Sequence, residues 1–179
     1  FVDSHTHLYF LVISMGNVKL DGLNSIEETL IKIKAYSTKL GKNEWVTGEG
    51  FSPDRWRKYV HPDKFMLDGV TGGRPAAIFS KDQHLMWVNS KALEIAGIAK
   101  DTAEPDGGSI ERLDNHEPSG ILKETPGYFP ILKMISKSGN KNLSKLYNLT
   151  LKDLYRKGVT GVHSFDGPDA LPFFLEKSQ

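Results

Sequence analysis

Cysteine is absent from the 179 residues. That excludes disulfides and thiolate metal sites, so any metal must be held by His, Asp or Glu. A surplus of either charge is missing too. Lys and Arg number 23 against 22 Asp and Glu, a formal net charge of +1, and nothing steers the chain toward nucleic acid. Long apolar runs are lacking: the opening one, Leu8 to Met15, is too short to span a bilayer and has no basic leader. No signal peptide, no membrane partner and a cytoplasmic location are therefore expected. No Met precedes Phe1 and no turn precedes the strand-like Phe1-Val2-Asp3, which reads as the middle of a longer protein. Internal repeats and low-complexity tracts are absent.

What is present is ordinary for a folded domain. Apolar residues make up 39% and charged residues 25%, which argues against disorder. Residues 1–6 read as a short buried strand. Ser25 with Glu27 and Glu28 caps and charges the start of a helix whose apolar spacing runs through Leu40 to a stop at Gly41. Residues 44–50 read as a strand, 53–59 as a turn or short helix, and 62–68 as a second short helix. The continuous apolar run at 75–80 fits a strand covered on both faces. Asn89-Ser90 caps a helix through Ala96, stopped by Gly97. Residues 109–113 and 120–123 flank a five-residue loop as a hairpin. Residues 143–157 form an amphipathic helix ended by Gly158, and 159–163 another strand. Strands alternating with helices predict an α/β fold with a parallel sheet. Residues 100–125, rich in Gly, Pro and charge, read as an inserted hairpin lying over it.

Four constellations could carry chemistry. In Asp3-Ser4-His5-Thr6-His7, residues i and i+2 of a strand share a face, so His5 and His7 can reach one ion together. The alternative is two strand-end histidines with no metal. Lys81-Asp82-Gln83-His84 follows an apolar strand, where α/β sheets bind ligands. There His84 could serve as acid, base or donor to a substrate oxygen, or simply cap the next helix. Glu124 after another strand could bridge two metals or polarise a water, or be a surface residue. His163 ends the last strand, which in a parallel sheet would bring it to the rim shared by His5, His7 and His84. Trp87, three residues after His84, could wall a substrate, whereas Trp45 and Trp56 fit packing. His61 and His116 fall in loops and read as structural or solvated.

These residues resemble the amidohydrolase superfamily. More narrowly, the chain is similar to amidohydrolase family 3, the N-substituted formamide deformylase-like metal-dependent hydrolases. The opening FVDSHTHL carries the superfamily motif. The narrower resemblance rests on EWVTGEGFSPDRW, RPAAIFSKDQHLMWVNSKALEIAGI, PDGGSIERLDNHEPSGILKE and GVTGVHSFDG, in that order across nearly the whole chain. The resemblance implies part of a (β/α)8 TIM barrel, residues 1–179, with the hairpin insertion at 100–125, since 179 residues fall short of the ~250 of a full barrel.

It further implies hydrolysis of a C–N bond in a small amide-type substrate and a divalent metal, zinc first, as one or two ions. His5 and His7 are then metal ligands, His84, Glu124 and His163 catalytic, and Asp82 and Trp87 substrate-binding. Two departures stand out: Ser164 follows His163 where an Asp is common, and Gln83 stands where a small residue is more usual. Two imidazoles are fewer than the three protein ligands of a catalytic zinc site. Residues 1–179 alone are thus expected to bind metal weakly and turn over negligibly, and open sheet edges favour self-association into a homo-oligomer. The competing reading is a non-catalytic metal-binding or interaction domain on the same scaffold.

Overall fold

The computed structural model describes residues 1–138, 143–167 and 170–177. They form two compact units, one of residues 17–139 and one of residues 1–16 with 140–179. The architecture is mixed α/β.

The larger unit is built on a six-stranded sheet. Its strands are β2 (Val18–Lys19), β3 (Val46–Phe51), β4 (Ala76–Ser80), β5 (Leu85–Val88), β6 (Ser109–Arg112) and β7 (Pro118–Lys123), in the order β2-β3-β4-β5-β7-β6. The first three are mutually parallel and the remaining pairings antiparallel. Strand period 2 sorts the core. Val46, Ile78, Trp87 and Ile121 pack on one face with Ile33 and Leu67. These last two come from helices α2 (Ile26–Ser37) and α3 (Lys64–Thr71). Ala77, Met86, Val88 and Leu122 pack on the other face with Leu93 and Ile131, from α4 (Ser90–Ala96) and α5 (Glu124–Ser138). A sheet covered on both sides explains why β4 and β5 read as unbroken apolar runs.

Several expectations are met at the residue level. Ser25 caps α2 through the Glu28 amide, and Asn89 caps α4 through the Ala92 amide before Gly97 turns left-handed at φ 69°. Others are corrected. The α2 helix stops at Ser37 rather than Gly41. There the chain tightens into i to i+3 bonds from Lys39 and Leu40, and Arg74 takes the Leu40 and Gly41 carbonyls at 2.8 and 3.0 Å. The segment after residue 80 is not the exit of a parallel strand toward a helix. It is the turn of a β4–β5 hairpin, and no element is expected at β5 from the sequence because LMWV is too short for its period to show. The β6–β7 hairpin does not lie over the sheet but continues it, β7 pairing with β5.

The smaller unit contains β1 (Val2–Thr6), α1 (Leu8–Ser14), α6 (Leu143–Arg156), β8 (Gly161–Ser164) and α7 (Leu171–Lys177). β1 and β8 pair in parallel, Val2 with Gly161 and Thr6 with Ser164, with an irregularity between. Val12, Leu8 and Phe173 form its core. The buried strand expected at residues 1–6 is instead exposed, Val2 at 64%. In a two-stranded sheet β1 has one hydrogen-bonded neighbour, so its apolar residues gain little cover. Among the described residues no helix is long and apolar enough to cross a membrane.

Candidate functional site

Two groups of site residues emerge, one in each unit. In the smaller unit β1 delivers His5 and the chain turns at His7 into α1. The two rings lie 5.7 Å apart, centroid to centroid, at 71°. With metal–nitrogen bonds of about 2.0–2.1 Å, rings sharing one ion have centroids roughly 5–6 Å apart, so the pair suits a common divalent cation. Phe165 stacks on His5 at 4.1 Å and 10°, fixing the plane of the ring.

The position of His7 depends on how α1 begins. His7 occupies the N-cap but its side chain accepts no bond there. A helix start leaves its first amides unpaired, and here the partners come from the end of β8 and the residues just past it. Asp166 accepts from Tyr9 N at 2.8 Å and Phe10 N at 3.4 Å, while Ser164 Oγ accepts from Leu8 N at 3.0 Å. The Ser164 hydroxyl also donates to Asp166. A carboxylate at a helix N-terminus also meets the positive end of the dipole. Asp166, two residues past Ser164, thus anchors the helix that carries His7. Sequence reasoning passed it over, although a helix with no Ser, Thr, Asp or Asn at its own N-cap is a signal that a cap comes from elsewhere.

His163 is exposed on β8. Among the described residues no three His, Asp or Glu side chains group to hold a metal ion, so His163 does not complete a ligand set with His5 and His7.

In the larger unit, the β4–β5 turn and the start of α5 bring His84 and Glu124 together. His84 Nδ1 lies 3.1 Å from both Glu124 carboxylate oxygens, and Glu124 N donates to the His84 carbonyl at 2.9 Å. Asp82 shapes the turn from inside. Its Oδ1 accepts from Ser80 Oγ at 2.6 Å and from His84 N at 3.2 Å, and Ser80 Oγ accepts from Leu85 N at 3.0 Å. The Ser80 hydroxyl is the main reason that the Asp82 carboxyl ionises below its ordinary value, with burial opposing. The bond to Glu124 and its charge push the His84 imidazole above its ordinary value, against a small opposing effect of burial. With Nδ1 donating to the carboxylate, Nε2 is the nitrogen left for a ligand. It accepts a proton when the ring is neutral and donates when the ring is charged.

The backbone here is strained. Gln83 at φ 64° and Glu124 at φ 59° are two of three left-handed non-glycine residues among those described. Each such conformation costs on the order of 1–3 kcal/mol. The ion pair they frame is open to water, with the side chains 64% and 53% exposed, and exposed pairs add little stability. The arrangement therefore costs stability, which points to function. At Gln83, with φ 64°, a glycine would sit without strain.

Trp87 is corrected from substrate wall to core. It is fully buried, its indole N–H donates to the Asp63 carbonyl at 2.7 Å, and its ring meets Phe51 edge-on. A further polar cluster joins His61 Nε2 to Glu111 Oε1 at 2.5 Å, with Tyr59, Ser119 and Lys123 around it. It borders two open clefts of about 670 and 220 Å³. His61 is thus a paired rather than a merely solvated histidine.

The sequence pattern of the amidohydrolase family matches residues 1–175. The chain is 34% identical over 166 residues to the Bacillus subtilis (strain 168) protein YtcJ, named as an amidohydrolase, covering 93% of this chain and 31% of that protein. It is 31% identical over 126 residues to N-substituted formamide deformylase of Arthrobacter pascens, covering 69% and 23%. Among solved structures, an uncharacterized metal-dependent hydrolase from Pyrococcus horikoshii OT3 superposes with a TM-score of 0.70 at 26% identity, over 99% of this chain and 34% of that one. The chain spans about a third or less of the length of these relatives.

Proposed function

Because this chain belongs to the amidohydrolase family, we propose that it is the part of a metal-dependent hydrolase that supplies the first metal ligands and a proton-handling dyad. The parallel neighbours β1 and β8 are read as two strands of a (β/α)8 barrel, with residues 17–139 inserted between them. The observation that carries the proposal is the His5–His7 pair, 5.7 Å between centroids at a strand exit and held there by the Asp166 cap. The similarity to the uncharacterized metal-dependent hydrolase from Pyrococcus horikoshii OT3 supports the same reading.

The donor set fits a divalent cation of the zinc type: two neutral imidazoles and no thiolate, with further ligands left to the rest of the protein. Such a metal supplies a water acidified toward neutral pH and polarises a carbonyl. His5 and His7 hold it. His84, its Nδ1 engaged by Glu124, presents Nε2 to the substrate. As the imidazolium it donates to a developing oxyanion or to the leaving amine, and Glu124 stabilises that charged form. Asp82 holds the turn that aims His84, and His163 is a further proton-handling group. The substrate proposed is a small molecule with a C–N bond to a carbonyl, such as a formamide or other amide, in keeping with the name of the Arthrobacter relative.

The test is a screen of the whole protein against N-formyl, N-acyl and cyclic amides, comparing wild type with H84A and E124Q. The expected result is hydrolysis of at least one class, a roughly 10²–10⁴-fold fall in kcat for H84A, and a smaller fall for E124Q. Equal rates in all three proteins would remove the dyad from the mechanism. A metal-loaded protein inert to every amide would favour a binding role.

A further inference from the structure

We propose that Tyr128 is a positioning residue for His84, acting through the carbonyl of Gln83. This rests on the reading of His84 as a proton-handling group only for its effect on rate; its geometric content stands apart from any substrate.

Tyr128 lies on α5, one turn after Glu124. Its ring is buried at 7% exposure and meets Phe79 of β4 edge-on, 5.3 Å between centroids. The hydroxyl donates to the Gln83 carbonyl at 3.2 Å. Its other neighbour, Thr125 Oγ1 at 3.1 Å, must then donate to it. Gln83 is the left-handed residue immediately before His84. Such a residue keeps its conformation only where the surroundings over-determine it. Other bonds hold the turn too: the Gln83 amide to the Ser80 carbonyl at 3.1 Å, Asp82 with the Ser80 hydroxyl and the His84 amide, Ser80 Oγ with the Leu85 amide, and the Glu124 amide to the His84 carbonyl at 2.9 Å. All but the last act from inside the hairpin. The Tyr128 side chain ties the Gln83 carbonyl to α5, the helix whose first residue is Glu124. One helix turn therefore fixes both the carboxylate and the peptide that orients the ring facing it. Without the hydroxyl, the Gln83–His84 peptide can rotate toward the right-handed region and carry Nδ1 off the carboxylate.

Two readouts test this on the whole protein. The first is the titration of His84, followed by NMR in histidine-labelled wild type, Tyr128→Phe, Thr125→Val and, for assignment, H84A. The charged groups facing the ring are Glu124 from α5 and Asp82 from the turn. In wild type His84 should titrate above an ordinary imidazole. Tyr128→Phe keeps the buried ring and should move the midpoint down toward the ordinary value. Thr125→Val leaves the bond to Gln83 in place and should move it less. The second readout is kinetic: Tyr128→Phe should lower kcat roughly 10–100-fold, the scale of a small misplacement of a reacting group, with KM little changed. An unchanged His84 titration in a folded Tyr128→Phe protein overturns the proposal whatever the rate does. If the titration shifts as expected while H84A hydrolyses amides at the wild-type rate, the positioning stands and the role assigned to His84 fails.

Discussion

The two units position their histidines by opposite means. In the smaller one, His7 is set by satisfying a helix start: Asp166 and Ser164 accept the first amides of α1, and among its described residues none other than glycine has positive φ. In the larger one, His84 is set against a strained backbone, framed by Gln83 and Glu124 in the left-handed region. A cap adds stability while it orients, whereas strain spends stability and must be drawn from elsewhere. The larger unit has that reserve, because helices cover both faces of its sheet and Trp87, Ile78 and Met86 are fully buried.

The comparison is broken most forcefully at the reserve. Trp87→Ala should destabilise the larger unit by about 3–5 kcal/mol, the usual cost of emptying an aromatic core site, as measured by chemical denaturation. A loss under about 1 kcal/mol would mean that the core does not underwrite the strained turn. Next comes the cap. Asp166→Ala should cost about 1 kcal/mol of stability and weaken metal binding roughly 10–100-fold, the range for partners that orient ligands. Metal titration of the whole protein checks this, and Asp166→Asn should retain most of the affinity because it still accepts hydrogen bonds.

Relief of strain is smaller and opposite in sign. Gln83→Gly removes a left-handed side chain and adds freedom to the unfolded chain, so a net gain of a few tenths to about 1 kcal/mol is expected. A destabilised Gln83→Gly protein would show that the turn is not strained. The smallest effect is one of pH. Burial pushes the Glu111 carboxyl up, but bonds from His61, Lys123 and Ser119 outweigh it, and the group ionises below its ordinary value. A folded value below the unfolded one means that stability is present at neutral pH and is lost as pH falls through the folded value. Glu111→Gln should therefore flatten the acid side of the stability profile. The raised His84 value works the other way: its contribution is complete below the ordinary imidazole range and fades as pH rises through the folded value.

Much of this was legible in sequence where one residue type has one physical use. Asn89 and Ser25 announced caps and Gly97 a helix end, whereas His7, expected on the same strand as His5, sits just past it at the N-cap of α1. The order of motifs announced the family. What stayed hidden depended on partners distant in the chain or on competing patterns. β5 is four apolar residues with no resolvable period. α5 begins Glu-Thr-Pro-Gly and carries Pro130 inside, so local propensity speaks against a helix that packing enforces. The roles of Asp166 and Tyr128 lie in what they touch, and a single sequence does not display those contacts.

The most direct test of the central claim is the metal content of the whole protein in three forms: wild type, the double variant H5A/H7A, and E124Q. The account predicts metal in wild type and in E124Q, and its loss from H5A/H7A with the fold intact. Full metal occupancy in H5A/H7A would contradict it.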